Sequence, residues 1–460
     1  MTAGSGPDGE GPRSSCLTAS AIRLRLGRMG FPQRRFPSLS TRGGGRIFSI
    51  PFRLWNSGPT LTRLELSCFV AQDPHPMLLT TITTQLDEIG IAQRLADEFA
   101  VAAAQDDRAA GFPFRHIEAL RESGLLALTA PQQFGGRGGG LEIAAQVIRE
   151  IGRGDPAIGL VLVMQYAHLA LLHRGRWPAA LVARVVRDAA TEGALINALR
   201  VEPELGTPMR GGLPATVARR IDNGWLLSGR KIYSTGSEGL RWAIVWARTD
   251  EDEARVGQFL VPMQADGVRI IPTWDTLGLR ASSSHDVQFD EVLLPPDYAV
   301  DIRRPAEWAV RGDETSAWVS LLIAALYTGV AEAGRDWIVA FLKSRVPANL
   351  GKPLAELPRM QEAVGAIEER IAVNRRLIGS AARDMDAGQV PAASQSGLIK
   401  HVATENAIAA VEGALKLAGN HGIARRNPLE RHYRDVLCGR IHSPQEDSVL
   451  VAAGRAVLGL

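Results

Sequence analysis

Cysteine is scarce in this chain. Only Cys16, Cys68 and Cys438 occur in 460 residues, far apart and without CxxC spacing. That excludes a disulfide framework and a cysteine-rich zinc site, and it fits a reducing compartment, so a cytoplasmic location is expected. Long uncharged runs are also missing. The longest stretches free of Asp, Glu, Lys and Arg are Pro156–His173 and Thr315–Ala331. Both fall short of the ~20 apolar residues of a spanning helix. They read as buried helices, and no membrane association is expected. Signatures of several enzyme classes are absent: no GxGxxG after a strand, no GxxxxGK[ST], no HExxH and no GxSxG. These absences argue against dinucleotide, P-loop, zinc-protease and serine-hydrolase chemistry. His168 and His173 are spaced i, i+5, which does not put two ligands on one helical face; no metal site is expected.

A strong charge of one sign is lacking as well. The formal net charge is +3, but residues 1–76 hold ten Arg, no Lys and four acids, a balance of +6. The remainder is therefore 3 − 6 = −3, which offers no electrostatic reason for nucleic-acid binding. Residues 1–76 are rich in Arg, Gly, Ser and Pro, with GSGPDGEGP and RGGGR among them. They show no sustained helix or strand period and lack the roughly 7–15-residue apolar core of a secretory signal. Their Arg and Ser content fits a transit peptide in part. The reading adopted is a disordered leader, or an over-read ahead of a working start at Met77.

What is present begins near residue 78. Leu86, Ile89, Ile91, Leu95, Phe99 and Val101 recur near helical spacing, as do Phe114, Ile117, Leu120, Leu125 and Leu126. APQQFGGRGGG (130–140) interrupts them, LEIAAQVIREIGR (141–153) resumes, and Asp155-Pro156 forms an N-cap and N1 pair. Residues 77–190 thus form an N-terminal helical domain. Over 191–304 the period becomes two. DNG (222–224) sits between strand-like runs, followed by WAIVWA, QFLVP, VRIIP and HDVQFDEVLLP, which predicts a small β-barrel or sandwich. Helices are predicted again at 315–344, 358–386, 396–418 and 443–458, a C-terminal four-helix bundle over 305–460. The fold class is α+β and multidomain, with two or three domains in keeping with the length.

RKIYSTGSEG (230–239) is a strand entering a Gly-rich loop. Tyr233 offers a flat apolar face, and Ser234 and Thr235 offer hydroxyls beside backbone amides. Such an edge suits a flavin's flat, acceptor-rich ring; the plainer alternative is strand-end turn chemistry. The order GLLALTAPQQFGGRGG, NGWLLSGRKIYSTGSEG, WDTLGLRASSSHDVQFDEVLLP and NHGIARRNPLERHYRD resembles the acyl-CoA dehydrogenase superfamily over residues 80–460. The third stretch is the most specific. The resemblance implies a helix–β–helix flavoprotein, assembled as a homotetramer, with FAD or FMN as cofactor. By position it implies that Tyr233 and Thr235 hold the flavin ring. It places Asn197 to Leu199 on a second flavin strand, although VEPELGT there departs from the family's TEPGAGSD. Arg345 and Gln361 match the pair that reaches a neighbouring subunit's cofactor, and Gly419 and Gly422 match a glycine turn near it. Leu350 replaces the usual aromatic, which leaves FAD and FMN both open.

HYRDVLCGRIHSPQED (432–447) carries the catalytic question. In dehydrogenases of the family a glutamate follows the Arg-Asp pair and removes the α-proton of an acyl thioester. Aligned on Arg434-Asp435, that position is Ser443, with His442 beside it. The family's other base position falls near Val319, with Asp313 and Glu314 about a turn and a half away. A serine hydroxyl does not act as an α-proton base unaided. His442-Ser443-Pro444 is similar instead to the dibenzothiophene monooxygenase branch, which uses reduced flavin and O2. There an imidazole titrating near working pH can hold a proton. The structural alternative makes Ser443 an N-cap and Glu446 its N3 partner, a capping box. Arg434-Asp435 is expected to be a structural ion pair, Cys438 a packed residue and His432 solvent-facing. Tyr166 and His168 are expected to pack in the core, with a place in the lining of a substrate pocket as the alternative. Three functions follow: a monooxygenase for a small organic substrate, served by a separate flavin reductase; an acyl-CoA dehydrogenase with Glu446 or Glu314 as displaced base; or a catalytically silent binding subunit.

Overall fold

The computed structural model describes residues 22–25, 47–54, 62–69, 76–205, 212–308 and 312–460. The chain divides into two compact units, residues 1–84 and 85–460. In the first, β1 (Ile22–Arg25), β2 (Ile47–Leu54) and β3 (Thr62–Phe69) form an antiparallel sheet with β3 central. The rest of the leader lies outside the described residues.

The second unit opens with the part of helix α1 (Pro76–Ala109) from residue 85 on, followed by helices α2 (Phe114–Ser123), α3 (Leu141–Gly154), α4 (Pro156–Leu171) and α5 (Ala179–Glu192). Asp155 separates α3 from α4. Its Oδ1 accepts from Ala157 N at 3.0 Å and Ile158 N at 3.3 Å, and Pro156 occupies N1, where no N–H is needed. Its other oxygen meets His116 Nδ1 at 3.0 Å, so the cap also fastens α2.

The middle region is a single eight-stranded sheet: β4 (Leu195–Leu199), β5 (Val217–Ile221), β6 (Gly224–Lys231), β7 (Leu240–Thr249), β8 (Val256–Pro262), β9 (Val268–Ile271), β10 (Asp286–Leu294) and β11 (Ala299–Arg303). Its order is β11-β8-β7-β5-β6-β10-β9, with β4 paired parallel to β7. The predicted turn at 222–224 joins β5 to β6. In β10 the inward residues Val287, Phe289 and Val292 are fully buried, with the register shifting between the last two at Glu291.

The last region holds α6 (Asp313–Ser344), α7 (Pro358–Asp386), α8 (Ala393–Ala418), α9 (Leu429–Leu437) and α10 (Glu446–Leu458). α6 is central and packs on α3, α4, α7, α8 and α9. Its approach to α3 depends on Gly329, where a β-carbon would stand 2.1 Å from Arg149 O. The two helices that carry the longest uncharged runs are core elements: 78% of the most apolar window is buried for Pro156–Arg174, and 94% for Asp313–Ser344.

Three expectations are corrected in this region. α9 is an additional helix that the bundle pattern did not include. The expected Arg434-Asp435 ion pair does not form, because each side chain is engaged elsewhere: Asp435 Oδ1 accepts from Leu279 N at 2.7 Å. Arg434 binds Asp107 and Glu430 instead. The capping box is also absent. α10 begins at Glu446 after Gln445, because Lys400 Nζ takes Pro444 O at 3.1 Å and the first α10 acceptor becomes Gln445 O.

Candidate active site

One wall of the site is built where β6 runs out into the 232–239 loop. Tyr233 adopts φ 56°, which turns its ring outward; it is 62% exposed and meets Trp274 edge-on at 6.3 Å. A non-glycine residue in that conformation carries strain that the surroundings must hold in place. They do so through Ser234 N, which donates to His285 O (3.1 Å), and Gly236 N, which donates to Ser282 O (2.9 Å). Thr235 O accepts from Asn197 Nδ2 at 3.0 Å, and Thr235 Oγ1 accepts from Ser284 Oγ at 3.1 Å. Thus Asn197, Ser234 and Thr235 converge. Leu199 does not join them: its side chain is packed in the core. Ser234 Oγ is buried without a hydrogen-bond partner among the described residues. β4 is braced from behind, because Ala198 N donates to His168 Nε2 at 3.2 Å. Tyr166 is fully buried in the core, whereas His168 is half-buried and acts as the acceptor that braces β4.

The 273–285 loop was not singled out as part of the site. Leu279 and Ser283 within it also have positive φ, 53° and 45°. His285 Nδ1 accepts from the backbone N–H groups of Thr273 and Trp274, which assigns its proton to Nε2, 3.8 Å from Glu238 Oε2. The loop is tied to the bundle. Leu279 N donates to Asp435 Oδ1 at 2.7 Å, and Arg434 Nη1 donates to Leu277 O at 2.9 Å. Gly278 lies against α9 so closely that a β-carbon would come 2.4 Å from Arg434 O.

The second part of the candidate site is the 438–445 turn, which follows α9. His442 stacks on the buried ring of Tyr327, centroids 5.8 Å apart and planes at 27°, and its Nε2 has no hydrogen-bond partner among the described residues. Its pKa is pushed down to about 3, by burial first and the Lys400 ammonium second. The expectation that this imidazole titrates near working pH is therefore corrected: it stands neutral. Ser443 is half-buried, with a cis bond to Pro444. Cys438 packs against the core, and burial pushes its thiol up to about 12.

His432 is not solvent-facing; it is buried on α9 with its pKa pushed down to about 3, by burial and then Arg431. The unfolded chain, with an imidazole near 6.5, binds a proton there that the folded chain refuses, so this group costs stability as pH falls from about 6.5 toward 3. His442 acts with the same sign. Asp435 opposes both, since burial pushes it up to about 7 and the fold retains a proton that the unfolded carboxyl releases. His432→Leu is therefore expected to make the loss of stability between pH 6 and 4 shallower by about 1.4 kcal/mol per pH unit. Urea unfolding at stepped pH measures this, and an unchanged slope would refute it.

Arg345, Gln361, Gly419 and Gly422 lie elsewhere. Arg345 ends α6, 18 residues beyond Tyr327 and so about 27 Å along the axis at ~1.5 Å per residue. Phe341 one turn earlier meets His421 at 5.0 Å, between the two glycines. Gln361 lines an open groove of about 370 Å³ with Leu342, Met360 and Val364. Within one chain this set is not brought to Tyr233 or His442.

The displaced-base candidates are poorly placed. Glu314 is paired with Arg174, Asp313 accepts from Ala393 N at 2.8 Å, and Glu446 is exposed at the start of α10.

A helical layer, an eight-stranded sheet and a helical bundle, with a strained aromatic loop after β6 and a turn that follows Arg-Asp, fit an acyl-CoA dehydrogenase-type flavoprotein oxidoreductase. The chain belongs to the acyl-CoA dehydrogenase family: residues 90–176, 200–292 and 321–446 match its N-terminal, middle and C-terminal domains. It is 33% identical over 370 residues to "Putative acyl-CoA dehydrogenase YdbM" of Bacillus subtilis (strain 168), covering 79% of this chain and 94% of that protein. Two solved structures share the fold at 22% identity and TM-score 0.74: FMN-bound TdsC from Paenibacillus sp. A11-2, and butyryl-CoA dehydrogenase from Megasphaera elsdenii. Each covers 81% of this chain, against 97% and 98% of its own length.

Proposed function

We propose that this protein binds a flavin at Tyr233, Ser234 and Thr235 and oxygenates a small organic substrate, taking reduced flavin from a separate reductase in the cytoplasm. The residues fit such a group: an outward aromatic face, a buried hydroxyl awaiting a partner at Ser234, and backbone fixed from behind by Asn197 and Ser284. When bound, the flavin supplies the electrons and the activation of O2. The protein's part would be to hold the ring through Tyr233, Ser234 and Thr235 and to offer an uncharged imidazole at His442.

The observation that carries this reading is the substitution of His442-Ser443 where desaturation needs a carboxylate. Of the two candidate acids, Glu314 is held by Arg174 and Glu446 is exposed at the start of α10. His442 is half-buried with its Nε2 enclosed, and its lowered pKa leaves the imidazole uncharged, so it presents one N–H and one acceptor nitrogen. The FMN-bound structure of TdsC, elsewhere called a dibenzothiophene monooxygenase, supports the reading. The name of YdbM supports a second one, acyl-CoA dehydrogenation.

The deciding test is an absorption spectrum of the purified protein, followed by anaerobic addition of a mixed acyl-CoA panel. Tightly held flavin that bleaches with an acyl-CoA would establish dehydrogenation and overturn the monooxygenase. Protein that instead captures free reduced flavin, and yields oxygenated product on aeration, would support it. No flavin binding in either state would leave a silent subunit. Assembly into a homotetramer is part of the proposal. α10 buries only Val449 and leaves Leu450, Val451, Val457 and Leu458 exposed, an apolar face that a further copy of the chain would cover.

A further inference from the structure

Lys400 lies on α8 and is 2% exposed. Its Nζ donates to three backbone carbonyls of one turn: Gly439 O at 2.8 Å, His442 O at 2.7 Å and Pro444 O at 3.1 Å. An ammonium has three N–H donors, so this arrangement uses all of them. Charge-assisted bonds of that kind are the stronger class of hydrogen bond. The turn itself is irregular, between the short 438–440 helix and α10, and its carbonyls have no helical ladder to join. A second link from α8 runs outside, where Glu405 pairs with Arg440 through bonds of 2.8 and 2.7 Å in an exposed position. Glu405 is also the acid whose charge acts on Lys400. The imidazole borne by this turn rests on Tyr327 with Nε2 unpartnered. A single stacking contact does not by itself fix an imidazole's orientation, whereas anchoring its own carbonyl and those flanking it does.

We propose that Lys400 is the positioning residue of this site: by holding three carbonyls of the 439–444 turn it fixes the His442 imidazole against Tyr327. The significance of that placement rests on the reading of His442 given above; the anchoring itself does not. Lys400 touches neither substrate nor cofactor and acts only through the turn.

The test reads His442 directly. Full-length protein is treated with diethyl pyrocarbonate at neutral pH, and the modification rate of each histidine is followed by peptide mass spectrometry. In Lys400→Met the rate at His442 is expected to rise roughly ten-fold or more, as a local opening would produce. Rates at buried His116, on a distant helix, and at exposed His173 are expected to stay at wild-type values. Lys400→Gln keeps two N–H donors and is expected to fall between, which covers the case in which the methionine variant does not fold. Glu405→Gln, which breaks only the exposed link, is expected to leave His442 near its wild-type rate. A His442 rate within two-fold of wild type in the lysine variants would overturn the proposal. So would a parallel rise at His116, which would mean general loosening. Turnover is measured alongside. If His442 is released in Lys400→Met while His442→Ala itself leaves turnover intact, the anchor stands and the functional reading of His442 fails.

Discussion

Lys231→Met is expected to destabilise the protein by about 3–5 kcal/mol, the cost of leaving one member of a buried ion pair without the other. Lys231 is fully buried on β6, and its Nζ binds Glu202 Oε1 at 2.6 Å and Trp246 O. Burial pushes the ammonium down to about 8 in spite of the carboxylate. The carboxylate sits lower than usual because Lys231, Thr216 and Ala215 all donate to it. Those remaining donors, Thr216 Oγ1 at 2.6 Å and the N–H groups of Ala215 and Thr216, place the cost toward the lower end of the range. Neutralising both partners, Lys231→Met with Glu202→Gln, is expected to recover most of the loss. Equilibrium denaturation of the two single variants and the double variant measures the coupling. A double variant no more stable than Lys231→Met alone would show that the pair is not the source.

His442→Ala is expected to lower turnover roughly 10²–10³-fold, the usual effect of removing one preorganised donor from a water-poor site. Binding of reduced flavin is expected to stay within a few-fold, because the contacts assigned to the ring come from Tyr233, Ser234 and Thr235. The side chain stacks only on Tyr327, so alanine leaves a gap beside a ring already held by the bundle. Single-turnover product formation, with flavin affinity measured in parallel, separates the two effects. Unchanged turnover would end the case for this imidazole.

The sequence made the layers legible because each has its own period. The 3.6-residue pattern marked α6, α7 and α8, and the two-residue pattern marked β10. Asp155 was legible as a cap because its chemistry is local. Contacts across long separations were not. Nothing around Lys400 says that it meets carbonyls 39 to 44 residues away. The environment of His432 was misjudged because α9 is short and polar, yet it buries Leu429, Arg431, His432, Asp435 and Val436 against the bundle. The serines at 282–284 follow a pattern typical of loops, and only their bonds to Thr235 and Ser237 show them supporting the strained Tyr233 loop.

Gly278 makes a missing atom into a spacer. The loop that supports the Tyr233 segment and the helix that leads into the His442 turn touch there at backbone distance, and Leu279 and Asp435 bond immediately beside it. The spacing of that loop from α9 is therefore set by main chain rather than by side chains. A methyl group at this one position would act as a wedge between them and disturb the support of both segments at once.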